Sequence, residues 1–329
     1  MQSAFTIYKR KITEMRLLPT YKADIFKSDF PGYGSRLVYG TSGLGGVWGN
    51  VDEMESIDCI LYALENEITS FDTSPSYSNA ELFLGKALAK WKGKRPFVST
   101  KVGRLKADTA FDARLDYSPE GMRKSLMRSL DLLGLDYVDL LFLHEPQWVP
   151  INNINEILET LFSFRDAGYT KMLGIGGNPS QSFEPYLDNK YFQVISSFTK
   201  MDACNLSAFD DILPITRPQH ISFYAASSLH FGLLGNRFAH FAQQGNSGYE
   251  GNISLKDIET AVAVSDLANR YGMPLAELAQ RYLFSIEEAT RVVMGARKLS
   301  QVTDTISCWK KGALSKRLFD EITQKILRD

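Results

Sequence analysis

Short apolar runs recur along the chain at residues 36–41, 68–73, 97–102, 138–144, 171–176, 192–197, 221–226 and 291–295. Most are apolar throughout instead of alternating, as in Leu140, Leu141, Phe142 and Leu143, which is the pattern of parallel strands covered on both faces. Between them the apolar positions recur at helical spacing. In the clearest case Ser118 offers an N-cap, Pro119 suits the first helical position, Met122, Leu126, Leu130 and Leu133 form one stripe, and Gly134 closes it. The same reasoning predicts helices at 52–65, 80–90, 154–167, 256–271 and 275–284, with Gly272 ending one and Pro274 opening the next. A further helix is expected at 315–327, beyond the last strand.

Eight strands, each followed by a helix, point to a single (β/α)8 TIM barrel with an additional C-terminal helix, and less to an open doubly wound sheet. No repeat, Ser/Gly linker or charge block marks a boundary, so the 329 residues are expected to form one barrel domain. Residues 1–34 precede it as an extension. The irregular stretch 228–254, rich in Gly, Asn, His and aromatics, is expected to be a long active-site loop.

Composition narrows the function. With 44% hydrophobic and 23% charged residues the chain can bury a full core. Lys+Arg 37 against Asp+Glu 38 leaves a net charge of −1, so there is no summed field to attract nucleic acid or an acidic bilayer. Three scattered cysteines without a CxxC fit a reducing compartment, and no eighteen-residue apolar run or signal-type leader is present, so a cytoplasmic protein without a membrane span is expected. There is no Walker or HExxH sequence, and His144, His220, His230 and His240 show no ligand spacing, so no metal is expected. Gly43-Leu-Gly45-Gly46-Val-Trp-Gly49 lacks the last glycine of a dinucleotide fingerprint and is expected to shape the barrel mouth.

In a barrel of this kind the reacting groups end the strands. Asp72 ends the second, Lys101 the third and His144 the fourth, with Tyr77 in the loop after the second. Each has an ordinary reading alone: a turn residue, a solvated charge, a core histidine, a loop aromatic. Neighbouring strands bring all four to one mouth. There a phenol, with an ordinary pKa of about 10, needs a cation to favour its phenolate, a part open to Lys101. Asp72 would keep Lys101 protonated, and His144 would orient the same oxygen. A lysine ending a barrel strand can also be a Schiff-base nucleophile, as in an aldolase, but a paired carboxylate opposes that by raising its pKa.

Phe71-Asp-Thr-Ser-Pro-Ser-Tyr77, Glu81-Leu-Phe-Leu-Gly-Lys-Ala-Leu88, Ser99-Thr-Lys101 and Asp139-Leu-Leu-Phe-Leu-His144 resemble the aldo-keto reductase superfamily, and ordered similarity extends from about residue 36 to 305. The resemblance implies that Asp72, Tyr77, Lys101 and His144 are a catalytic tetrad and that NAD or NADP lies across the mouth. Its pattern assigns cofactor contacts to Gly40, Thr41, Asn178, Ser196, Ser227, Leu229, Gly232, Leu234, Gly295, Arg297 and Gln301. Three positions depart from the common pattern. Gly174-Ile-Gly176-Gly177-Asn178 lacks the usual serine, and Asn178 matches only with one residue inserted. Ala226 stands where a tyrosine usually stacks. The loop at 295–301 lacks the usual basic clamp, leaving Arg297 and Lys298 as replacements, so NAD is favoured over NADP.

These departures are similar to the branch of L-fucose, D-threo-aldose and L-galactose dehydrogenases. The implied activity is hydride transfer between a nicotinamide and an aldehyde, ketone or sugar lactol, with Trp48 and Trp148 as candidate substrate-stacking aromatics. Some relatives of this fold are regulatory channel subunits, but an intact tetrad and the lack of a tether favour an enzyme with a small-molecule partner.

Overall fold

A computed structural model of the chain describes residues 17–112, 114–244 and 253–328. Eight strands, β1 (Leu37–Gly40), β2 (Ser70–Asp72), β3 (Phe97–Val102), β4 (Val138–His144), β5 (Thr170–Gly176), β6 (Val194–Phe198), β7 (Ser222–Ala226) and β8 (Arg291–Gly295), pair in parallel in sequence order, and β8 returns to β1. The barrel read from the sequence is closed. Two strands depart from their predicted bounds by more than one residue at an end: β2 is three residues long, and β6 starts two residues late and ends on Phe198.

The outer layer is α1 (Glu53–Glu65), α2 (Ala80–Lys90), α3 (Pro119–Leu133) and α4 (Ile154–Asp166) after the first four strands. Ser118 accepts the Gly121 N–H at the start of α3, and Gly134 takes the left-handed conformation at its end. The alternation then loosens. After β5 there is only a 3-10 segment, Gln181–Tyr186, with Pro185 inside it and Pro179 just before, because two prolines so close leave no room for an uninterrupted helical ladder. After β6 come two single turns, α5 (Ala208–Asp211) and α6 (Leu213–Thr216), and after β7 come α7 (Phe238–Gln244), α8 (Leu255–Arg270) and α9 (Leu275–Phe284). The helix α10 (Leu299–Lys310), absent from the predicted set, follows β8 and buries Val302, Ile306 and Trp309, and α11 (Lys316–Ile326) is the additional C-terminal helix. Residues 245–252 of the expected active-site loop lie outside the described residues, as do residues 1–16.

Strand alternation divides the core in two. Leu141 and Leu143 face the helices, whereas Leu140, Phe142 and His144 point into the barrel. By the same parity Phe97, Ser99 and Lys101 point inward from β3, and Val38 and Gly40 from β1. The lower barrel is filled by Phe30, Val38, Phe97, Leu140, Phe142, Val194, Tyr224 and Val293. The layer above them carries the groups described next. Among the described residues no helix is long and apolar enough to cross a membrane.

Candidate active site

Parity and register build the upper layer. Gly40 pairs with Asp72 and Gly295, Asp72 with Ser99, Lys101 with Phe142, and His144 with Gly176, which pairs with Ser196. The inward residues at this level are therefore functional on one side, Asp72, Lys101 and His144, and small on the other, Gly40, Gly176, Ser196, Ala226 and Gly295. The mouth above them is a cavity of about 520 Å³ lined by all eight.

Tyr77 reaches the cavity from the short turn Pro75–Tyr77, whose start is fixed by Ser74 accepting the Ser76 N–H. Gly45 seats this turn: a β-carbon there would lie 1.7 Å from Tyr77 O, and Asn79 N–H donates to Gly45 O. The Gly43–Gly49 stretch thus supports Tyr77 from behind as well as shaping the mouth.

Lys101 Nζ donates to Asp72 Oδ2 at 2.6 Å and to Thr73 O at 2.8 Å, and it lies 4.8 Å from the centre of the Tyr77 ring. Ser99 Oγ donates to the other Asp72 oxygen at 2.7 Å. The His144 ring stands perpendicular to that of Tyr77 with centroids 6.3 Å apart, and its Nδ1 is 3.4 Å from Ser74 Oγ. A Ser74 hydroxyl donating to Nδ1 leaves Nε2 as the protonated nitrogen of a neutral ring.

The ring is neutral because burial, then the charges of Lys101 and Arg104, push the His144 pKa well below its ordinary value. Lys101 stays an ammonium: burial lowers its pKa, but Asp72 and Tyr77 outweigh burial and raise it. That opposes the aldolase reading, which needs a neutral amine. Lys101 lowers the Tyr77 pKa in the expected sense, but burial raises it more, so the phenol is held protonated above its ordinary value.

The small side of the mouth fits a nicotinamide ring. A β-carbon at Gly176 would project to within 3.5 Å of the Lys101 methylenes, one at Gly295 would have no neighbour nearer than 3.9 Å, and Ala226 ends β7 without a large side chain. These positions keep open the space beside Tyr77. Ser227, at φ +58, also lines the cavity.

Other predicted cofactor positions also make contacts within the frame. Asn178 is turned to β6, its Nδ2 donating to Phe198 O and its Oδ1 accepting from Ser197 Oγ and Phe198 N. Thr41 Oγ1 donates to Asp72 O, Leu234 is buried in the core, and Leu229 packs against it. Gly232 is the φ +90 pivot of the loop after β7. Gln301 Oε1 accepts the Arg297 and Lys298 N–H groups, capping α10. Arg297 itself lies back over the turn at Asn50, 3.4 Å from its carbonyl.

Trp48 lies in the cavity wall beside Phe111 and Phe231, and Trp148, 62% exposed, forms its rim. Sequence reasoning missed Phe111, Phe231, Ser74, Arg104, Glu145 and Gln147, all in loops where no periodicity marks an inward position. Adjacency to His144 was the one available signal for Glu145. The fold also gathers Asp202, Cys204 and His230, which sequence spacing did not link. Their contacts are hydrogen bonds: His230 Nδ1 to Asp202 Oδ2 at 2.7 Å is shorter than the roughly 3.3 Å ligand–ligand edge of a tetrahedral site with bonds near 2.0 Å.

Comparison with known proteins agrees with this geometry. The profile described as the aldo/keto reductase family matches residues 36–327. L-galactose dehydrogenase of Arabidopsis thaliana is 31% identical over 282 residues, 83% of each chain. D-threo-aldose 1-dehydrogenase of a Pseudomonas species is 25% identical over 81% of this chain and 87% of its own. Among solved structures, an aldo-keto reductase from Bacillus halodurans superposes with a TM-score of 0.74 at 21% identity, covering 93% of this chain and 96% of that one.

Proposed function

The chain belongs to the aldo/keto reductase family, and from that premise we propose that it is an aldose 1-dehydrogenase, oxidising a sugar lactol to the lactone with NAD in preference to NADP. The reaction class is NAD(P)-dependent oxidoreduction of a carbonyl compound. The observation that carries the reading is the Tyr77 phenol set between the Lys101 ammonium and the His144 imidazole beside a floor of small residues. Relatives named for L-galactose and D-threo-aldose support a sugar, and a wall holding both aromatic faces and charged groups suits one.

When bound, the nicotinamide supplies the hydride acceptor or donor. Gly40, Gly176, Ser196, Ala226 and Gly295 would hold its ring at the mouth. The substrate oxygen takes a hydrogen bond from His144 Nε2, which remains neutral, and exchanges its proton with Tyr77 Oη. Lys101 stabilises the phenolate left when Tyr77 gives its proton up, and Asp72 fixes the ammonium. A phenol held protonated is ready to donate in the reductive direction, whereas oxidation calls on the phenolate and gains from alkaline pH.

Of the two basic groups expected near the 2′-phosphate, Arg297 is laid against the Asn50 turn and Lys298 is exposed, which supports a preference for NAD. Turnover of an aldose panel and of simple aldehydes with each cofactor tests the proposal. Lactone formation with NAD at a kcat/KM at least tenfold above that with NADP is expected. Reduction of aldehydes with no aldose oxidation overturns the sugar reading, and NADP bound tenfold tighter than NAD overturns the cofactor preference.

A further inference from the structure

Immediately after His144, a charged group faces the same cavity. Glu145 Oε1 accepts Arg104 Nη1 at 2.7 Å, and its Oε2 accepts Gln147 Nε2 at 2.5 Å. All three residues line the mouth. The backbone of Glu145 is held at φ +57, a left-handed conformation that costs a non-glycine residue energy, by its N–H donating to Gly176 O and its carbonyl accepting from Tyr117 Oη. Arg104 is equally fixed, its Nη2 donating to Ala110 O and Asp112 O. Such firm placement of a carboxylate in a reaction cavity goes beyond what bridging one arginine requires.

Unused bonding capacity points to a ligand. A carboxylate has about four lone-pair positions, and the two side-chain donors occupy two of them. Arg104 Nε and Gln147 Oε1 are buried without a hydrogen-bond partner, one a donor and one an acceptor. Unpaired buried polar atoms are costly. A hydroxyl, which donates and accepts at once, complements the set.

Distance says which hydroxyl. Glu145 Oε1 is 3.9 Å from His144 Nε2, the nitrogen that meets the reacting oxygen. A group that close reaches the oxygen on the carbon next to the reacting one. We propose that Glu145, braced by Arg104 and Gln147, binds the hydroxyl on C2 of the aldose and makes the enzyme specific for 2-hydroxy substrates over 2-deoxy sugars and plain aldehydes. The inference rests on the aldose reading above and assigns a recognition part to three residues outside the tetrad.

The test combines substrate and side-chain deletions. kcat and KM are measured for the best aldose of the panel, its 2-deoxy analogue and 4-nitrobenzaldehyde, with wild type, Glu145→Gln and Gln147→Leu. A site built around a hydroxyl discriminates strongly against the analogue lacking it. Wild type should therefore favour the aldose over the 2-deoxy sugar at least thirtyfold in kcat/KM, and Glu145→Gln should reduce that preference to under fivefold, mainly through KM. The aromatic aldehyde should change less than threefold. Quenching of tryptophan fluorescence by the matching 1,5-anhydroalditol, which keeps the C2 hydroxyl but cannot react, should weaken at least tenfold in Glu145→Gln. Gln147→Leu should move in the same direction by a smaller factor, and thermal melts identify any variant that is misfolded.

Equal losses on all three substrates would mean that Glu145 acts through His144 or the fold, and would overturn the assignment. So would an unchanged preference in both variants. If wild type reduces the aromatic aldehyde but oxidises no aldose, the sugar reading fails and the assignment fails with it. If wild type oxidises aldoses without regard to the C2 hydroxyl, the sugar reading stands and the assignment alone falls.

Discussion

Two buried acids with the same direction of shift have different consequences at the residue scale. The Tyr77 phenol keeps its proton because burial outweighs Lys101, and in the proposed reaction that proton is the one exchanged with substrate. Tyr77→Phe retains the ring and its packing under Lys101 but removes the transferable proton. Turnover should fall by roughly 10²–10⁴-fold while fluorescence titration with reduced cofactor changes little, and activity above a tenth of wild type would count against the role. Glu81, inside the wall between α2 and β3, accepts a hydrogen bond from Thr100 Oγ1 at 2.6 Å, and burial pushes its carboxyl from 4.5 up to about 7 despite the help of Thr100, Ser129 and Lys101. A folded pKa above the unfolded one means stability that is fully present below pH 4.5 and lost as pH rises through about 7. Glu81→Gln removes that loss. Relative to wild type the variant should therefore gain roughly 2–3 kcal/mol between pH 5 and 8 in urea unfolding. A constant difference across that range would show that Glu81 does not titrate there.

Among the elements, loops meet as closely as strands do. Gly45, in the loop after β1, approaches the backbone of the Tyr77 turn so nearly that a β-carbon would also come within 2.8 Å of Ala80 N. Gly45→Ala must displace the turn from its place beside Lys101, because both contacts are to backbone atoms that cannot rotate aside. A loss of at least tenfold in kcat and of roughly 1–3 kcal/mol in stability is expected, measured by kinetics and denaturant titration. A variant with wild-type kcat would show that the turn tolerates displacement. The same contrast explains what the sequence made legible. Strands could be read because both faces are buried, so every residue of Leu140–Leu143 is apolar, and Asp72, Lys101 and His144 could be read because they sit at their ends. The 181–186 segment could not, since its prolines break a pattern without naming its replacement. Glu145, Arg104 and Gln147 were missed for another reason: a polar residue in a loop is ordinarily solvated, and only the folded distances distinguish one that is held in a cavity wall. Arg297 and Gln301 were legible as positions but not as contacts, because Gln301 turns back onto the backbone of its own loop and Arg297 reaches the Asn50 turn, distant in sequence.

Over the whole molecule, chemistry and stability are assigned to opposite ends of the barrel. The upper end is open and lined by small or reacting groups. The lower end is plugged: the Arg291 guanidinium lies 4.0 Å and 4.3 Å from the Phe30 and Phe97 ring centres, and the Phe30 ring packs edge-on against Phe97 and Tyr224. Arg36, just before β1, completes this closure chiefly through backbone carbonyls, with the charges of Glu287 and Asp29 helping to hold its guanidinium ionised. Its Nε and Nη2 donate to Ala289 O, its Nη1 to Ile25 O and Phe284 O, and its Nη2 also to Ile286 O. It thus binds the N-terminal segment, the end of α9 and the approach to β8 through a single side chain. Burial lowers its pKa to about 10, which still leaves the guanidinium charged at neutral pH. Arg36→Met fills a similar length but strands four buried carbonyls. Each such loss costs about 1–3 kcal/mol, so even with relaxation and entry of water the variant should lose at least about 3 kcal/mol. The tetrad sits at the opposite end of the barrel, so kcat and KM at a temperature where the variant stays folded should remain within twofold of wild type. Urea unfolding and steady-state kinetics on one preparation separate these effects. A fall in kcat with an unchanged unfolding midpoint would mean that the plug communicates with the mouth, and the division between the two ends would have to be abandoned.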